Sequence, residues 1–320
     1  MLKIQNPSLP SLDFAQDKPS TLPPFQSSNP PTFQPSIFPF FRPSIILLLC
    51  LFLTACASSQ PVPRYYLLSE KPARIIEVDP TLPEDQRLTR EFDLEGLELS
   101  DDGLEGIAFI AAADLERYGY DDFLPPPAEA GYFLLVTQRD TRLYVVEAPL
   151  SQPVGGPARL VEAFPILNLD SGASEIHYAA GEIWVAFAKE QRLYRLVPST
   201  VSGGLIKLSE LSFGLMPVPA GDVEGFTQME DVAFIGDDAA RLVARLDNFS
   251  DCISRSICAA AWSRDMAPLE PSGLAWDALN DRLVGIDDEG ELFGLPADGS
   301  SVETLLKTDF DLEGLTVVVQ

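Results

Sequence analysis

A glutamate followed by glycine recurs along this chain, at Glu95-Gly96, Glu105-Gly106, Glu224-Gly225 and Glu313-Gly314. Glu175 before Ile176 and Ser272 before Gly273 hold equivalent places in the surrounding pattern. Carboxylates that a fold gathers into one place cannot all stay ionised without compensation, so they share protons or hold a cation. Oxygen ligands at such density suit Ca2+, or Mg2+, better than Zn2+, which takes His or Cys. The plainer alternative is a glycine turn whose carboxylate is solvated. His177, the single histidine, follows Glu175 closely and reads as a hydrogen-bonded core residue rather than a general base.

Those residues need a scaffold that brings them together. From Arg64 onward short runs rich in Val, Leu, Tyr and Phe alternate in polarity and end at Gly, Asp or Pro, as in GYFLLVTQ (131–138), RLYVVEAP (142–149), GEIWVAFA (181–188) and DRLVGIDD (281–288). Only AAADLERYGYDD, near 111–122, suggests a short helix or turn, inside an insertion that ends in FLPPPAEAG. The domain is all-β. Its strands also repeat in order: GLEGIAFI, GYFLLVTQ, RLYVVEAP and ARLVEAFPI form one unit, ASEIHYAA to GLIKLSEL a second, and PSGLAWDA to VETLLKTDF a later one. Four strands in about 40–60 residues is the size of a β-propeller blade. Residues 222–268 should hold another, with its third and fourth strands blurred around Cys252. Asp287-Asp288-Glu289-Gly290 reads as a strand-to-strand turn.

FDLEGL occurs twice, at 92–97 and 310–315. DLEGLTVVVQ supplies a first strand with nothing after it, whereas YYLLSE, ARIIEVDP and RLTREFDL near the other end lack a first strand. If the last strand completes the blade begun by those three, the ring closes and its edge is covered. We expect a β-propeller of five four-stranded blades, or six if 212–268 conceals two, closed by pairing of N- and C-terminal strands. Both copies of FDLEGL would then mark the step from an outer strand to the next inner one. A β-sandwich is the rival architecture.

Residues 1–55 differ from the rest. They hold ten of the 28 prolines and no glycine, and residues 1 to about 40 have no helical or strand period. Arg42 and the apolar run SIILLLCLFL follow, too short to span a bilayer but suited to a secretory signal. Leu53-Thr54-Ala55-Cys56 resembles the lipobox of bacterial lipoproteins. The resemblance implies cleavage before Cys56 and lipid on its thiol, which holds a protein to a membrane without spanning it. It divides the chain into a removed leader, 1–55, a linker, 56–63, and a propeller, 64–320. Ala57 after the cysteine points to the outer membrane, facing periplasm or surface.

The full chain carries a formal net charge of −26. Losing Lys3, Lys18, Arg42, Asp13 and Asp17 with the leader makes the remainder one unit more negative. Such a chain repels nucleic acid and anionic headgroups, so DNA or RNA binding is excluded. Cys252 and Cys258, in DCISRSIC, would meet an oxidising compartment and form a disulfide, the alternative being two free buried thiols.

DLEGL, GLEGIAFI, DVEGF and PSGLAWD with RLVGIDDEGELFGL resemble the repeats of phytase-like (esterase-like phytase) propellers, and more loosely the regucalcin and gluconolactonase group. The resemblance covers roughly 88–320. It implies metal ligands at Glu105, Glu224 and Glu313, with Glu175, Ser272 and Asp287 as further candidates; Glu95 competes with Glu105 for one blade. A mixed Glu/Ser ring also looks like the calcium site of five-bladed apyrases. Two functions follow as expectations. One is an envelope lipoprotein whose cation-stiffened propeller binds a protein or small-molecule ligand. The other is a metal-dependent hydrolase of phosphoester, ester or lactone bonds, with Glu105 or Glu224 activating water. Isolated arginines, rather than a cluster, weigh against a phosphate cradle.

Overall fold

The computed structural model describes residues 61–97, 103–169, 172–199, 201–212, 222–255 and 258–320, all within a unit spanning Gln60–Gln320. The leader and residues 56–60 of the linker, Cys56 among them, lie outside the described residues.

Among the described residues the strands form five antiparallel blades. The first holds β1 (Pro63–Ser69), β2 (Arg74–Val78) and β3 (Leu88–Asp93). The second holds β4 (Leu104–Ala111), β5 (Gly131–Thr137), β6 (Arg142–Glu147) and β8 (Arg159–Pro165); the two-residue β7 (Gly156–Pro157) leaves it to pair in parallel with the end of β3. The third runs β9 (Glu175–Ala179), β10 (Glu182–Phe187), β11 (Arg192–Ser199) and β12 (Gly204–Ser212). The fourth runs β13 (Val223–Met229), β14 (Val232–Asp237), β15 (Leu242–Asp247) and β16 (Ala260–Asp265). The fifth runs β17 (Pro271–Asp277), β18 (Arg282–Asp287), β19 (Glu291–Pro296) and β20 (Glu303–Lys307).

The last strand, β21 (Leu312–Val319), pairs antiparallel with β1 from Pro63↔Val319 to Ser69↔Leu312 and becomes the innermost strand of the first blade. The ring therefore closes with N- and C-terminal strands side by side, and five blades, not six, complete it. Residues 222–268 hold a single blade because a helix, α2 (Phe249–Arg255), fills the connection between its third and fourth strands. The Cys252–Cys258 disulfide closes that connection. The other helix, α1 (Ala112–Tyr118), lies in the expected insertion and ends at Gly119, whose φ of +75° is left-handed.

Each blade has two faces to bury, which explains why second strands read as unbroken apolar runs: all seven residues of GYFLLVT in β5 are buried. Five apolar clusters result, one between each pair of neighbouring blades. Polar contacts add a second seam between the first and fifth blades. Tyr65 donates to Asp277 Oδ2 at 2.5 Å and accepts from Arg282 at 2.8 Å, and burial with the Asp277 charge raises the phenol's pKa.

The inner strands β21, β4, β9, β13 and β17 line the axis in that order, each against the next. All begin at one end of the ring, here the upper end. Connections from first to second and third to fourth strands consequently fall at the lower end.

Candidate metal centre

Four of the five inner strands carry a β-bulge where they begin. The pairing skips Glu105 between Leu104 and Gly106, Glu224 between Val223 and Gly225, Ser272 between Pro271 and Gly273, and Glu313 between Leu312 and Gly314. An extra residue in a bulge is unpaired and its side chain is re-aimed. Here the re-aimed side chains belong to the residues singled out by the Glu-Gly repeat, and Glu175 opens the fifth inner strand opposite Ala186.

The glycines after them serve a purpose other than a sharp turn. A Cβ on Gly106 would lie 2.6 Å from the Ile176 nitrogen and 2.8 Å from Glu175 Oε1, and one on Gly314 would lie 2.9 Å from the Ile107 nitrogen. Adjacent inner strands touch at this level, and only a missing side chain permits it. The first FDLEGL copy differs: Gly96 has φ +84° with open space around it, and Glu95 is exposed in a turn after β3. Both copies mark the outer-to-inner step, but Glu105, not Glu95, occupies the inner strand of the second blade.

Three groups of carboxylates meet around the mouth, with oxygens within 4.8 Å of one another in each: Glu70, Asp311 and Glu313; Asp222, Glu224 and Asp238; Asp238, Glu270 and Asp288. Their positions follow one rule. Asp222, Glu270 and Asp311 stand two residues before the bulge residue, hence on the same side of the strand. Glu70, Asp238 and Asp288 directly follow the second strand of their blades. In the second and third blades these places hold Gly103, Gln138, Ala173 and Ala188, so the acidity belongs to the first, fourth and fifth blades.

Lys71 pairs with Glu70 and Asp311, and Arg241 with Glu270. Compensation is nevertheless incomplete. Burial, then Asp222, Asp238 and Glu105, push Glu224 up to about 9; burial, then Glu105, Asp288 and Asp311, do the same to Glu313. Asp288 rises to about 6, chiefly through burial, against a lowering contact with Ser272.

Glu175 is 1% exposed, and its Oε1 accepts the Ile176 N–H at 2.7 Å, while Oε2 is buried with no hydrogen-bond partner. Burial holds its carboxyl well above the usual range, opposed by the N–H groups of Ile176, Leu274 and Phe226 and reinforced by Glu224. The eight carboxylates of the three groups, with Glu175 near Glu224, offer the oxygen donors that fit a hard divalent cation. His177 offers no softer ligand: its Nε2 accepts the Gln228 N–H at 3.2 Å, its ring meets Phe226 edge-on, and burial lowers its pKa to about 4.

Glu105, Glu175, Glu224, Ser272 and Glu313 thus come together at the mouth. Ser272 donates to the Leu312 carbonyl at 3.3 Å. Asp287 stands apart from the three groups: its carboxylate accepts the N–H groups of Glu270 and Glu291, at 3.3 and 3.4 Å, and shapes the 287–290 turn. Its neighbour Asp288 faces the mouth. Of the residues not anticipated, Asp222 and Asp311 had a signal in the D-x-E spacing of 222–224 and 311–313, and Asp238 and Asp288 in the repeated Asp-Asp at 237–238 and 287–288; Glu70 and Glu270 had none.

No family model matches the chain, and no curated protein matches it. Among solved structures, a protein of Bacteroides uniformis described as "a putative 6-phosphogluconolactonase" is similar in fold at 12% identity, over 77% of this chain and 67% of that one, with a TM-score of 0.40.

Proposed function

We propose that this chain is a lipid-anchored propeller of the bacterial envelope whose upper mouth holds divalent cation, Ca2+ by its ligand chemistry, and which binds a protein or small-molecule ligand. The observation that supports the cation most directly is the convergence of three carboxylate groups at the mouth, with oxygens within 4.8 Å of one another in each. Glu224 and Glu313, with Glu105 and Asp288, would hold the ion, exchanging their protons for it. Cys56 in LTAC supports the anchor, with Ala57 favouring the outer membrane. No helix among the described residues is long and apolar enough to cross a membrane.

A metal-dependent hydrolase is the second reading. It is favoured by carboxyls of unlike proton affinity in one mouth, Asp288 near 6 beside Glu224 near 9. A bound divalent cation supplies polarisation of a scissile phosphoester, ester or lactone group. Glu105 or Glu224 would take a proton from water, and a protonated neighbour would return one to the leaving oxygen.

Leaderless protein freed of metal should gain about 5–10 °C in melting temperature at Ca2+ a hundredfold above its dissociation constant, since such saturation adds about 2.7 kcal/mol. Glu224→Gln with Glu313→Gln should abolish most of that gain; an unchanged gain in the double variant refutes this mouth as the site. Ca2+- or Mg2+-dependent turnover of generic phosphoester and lactone substrates, lost in Glu105→Gln and Glu224→Gln, would select the hydrolase.

A further inference from the structure

The two ends of the ring differ in chemistry. Carboxylates stand at both ends, Asp121, Asp122, Glu230, Asp231, Asp281 and Asp298 among them on the lower connections, but the large apolar side chains of Val201, Leu279, Val302, Val319 and Tyr118 are exposed at the lower end, Val201 at 97%. Exposed apolar residues scattered singly need no explanation. These share one end, and they come from lower connections of the second, third and fifth blades and from the end of β21. An open groove of about 560 Å³, lined by Phe109, Leu150 and Val319 together with Glu129, Ser151 and Gln320, lies at the same end.

The chain also enters the propeller there. Val62 exchanges backbone hydrogen bonds of 2.9 and 3.0 Å with Gln320, next to the lower end of β21. Six positions separate Cys56 from Val62. Six residues reach at most about 20 Å when fully extended. The eight residues of β21 alone span about 26 Å from lower to upper end. A tether that short holds the lower end at whatever surface Cys56 is fixed to and cannot bring the upper end there.

We propose that the lower face rests on a lipid surface, with the apolar turns against its interface and the carboxylate mouth turned away; this rests on the reading of Cys56 as the lipid-bearing residue. Asp298 and Glu303 flank Val302, and the whole chain carries −26, so the surface is one of zwitterionic headgroups. Anionic lipid would be repelled.

The leaderless chain beginning at Cys56 has one thiol outside the disulfide, and coupling it to maleimide-bearing lipid in phosphatidylcholine vesicles fixes the tether independently of any cellular acylation. Hydrogen–deuterium exchange should slow several-fold in the turns at 201–203, 278–281 and 298–302 relative to untethered protein, and stay unchanged at 238–241 and 288–290. Leu279→Glu with Val302→Glu, still tethered and with an unchanged melting temperature, should lose the slowing. Equal effects at both ends, slowing that persists in the double variant, or protection that appears without lipid as concentration rises would overturn the proposal, the last by assigning the face to a second copy. Mass analysis of Cys56 in membrane fractions tests the acylation separately, and its failure leaves the vesicle result standing.

Discussion

Glu224 and Glu313 keep their protons at neutral pH because each lies half-buried among other carboxylates. A carboxyl with a folded pKa near 9 and an unfolded one near 4.3 binds its proton more tightly in the folded state across that interval. Its contribution is complete below the unfolded value and is lost as pH rises toward 9. In EDTA, melting temperature should therefore fall from about pH 5 to pH 9. Glu224→Gln should flatten the fall and raise the midpoint at pH 8 by about 3–6 °C, corresponding to about 1–2 kcal/mol after allowance for partial solvation. A steeper fall in the variant would contradict this account. At this scale the sequence was half legible. A repeat of Glu-Gly marks Glu105, Glu224 and Glu313, because one bulge recurs on one kind of strand. Asp238 and Asp288 were hidden because the aspartate before each caps its turn, as Asp237 does for the Ala240 N–H, so both look like turn chemistry.

The inner strand is the element that sets the site. Its glycines let neighbouring strands approach, and its bulge aims one side chain inward. The two Glu-Gly contexts separate these roles. Gly106→Ala should destabilise by about 2–3 kcal/mol, because its Cβ would press on backbone atoms that cannot move alone. Gly96→Ala should cost about 1 kcal/mol, for its positive φ only, since nothing lies within 4 Å. Urea unfolding of both variants checks the difference; equal losses would mean the inner strands can yield. Sequence alone could not distinguish these positions, since DLEGL at 93–97 and DLEGL at 311–315 are the same letters. What separates them is pairing: Leu315 meets Leu67 in a ladder, while Leu97 donates only to the Leu94 carbonyl. Strand positions, by contrast, were legible, because blades packed on both faces demand short, near-continuous apolar second strands bounded by turn residues.

At the scale of the whole molecule, five blades share five interfaces, so none is stable apart from its neighbours. Incomplete strand sets at the two ends predicted the closure, and β21 beside β1 fulfils it. The blade count was ambiguous because α2 and the disulfide interrupt the fourth blade. Deleting 312–320 should remove cooperative unfolding altogether, by calorimetry, whereas reducing the Cys252–Cys258 bridge should cost only about 2 kcal/mol. A cooperative transition in the truncated chain would show that the seam is dispensable.

The seam between β1 and β21 also sets an order in time. The ribosome makes β1 first and β21 last, so a chain interrupted anywhere before Leu312 leaves β1 with an open edge and the ring unsealed. A chain stopped short of Leu312 thus keeps an unpaired strand edge and presents itself to proteases as unfinished.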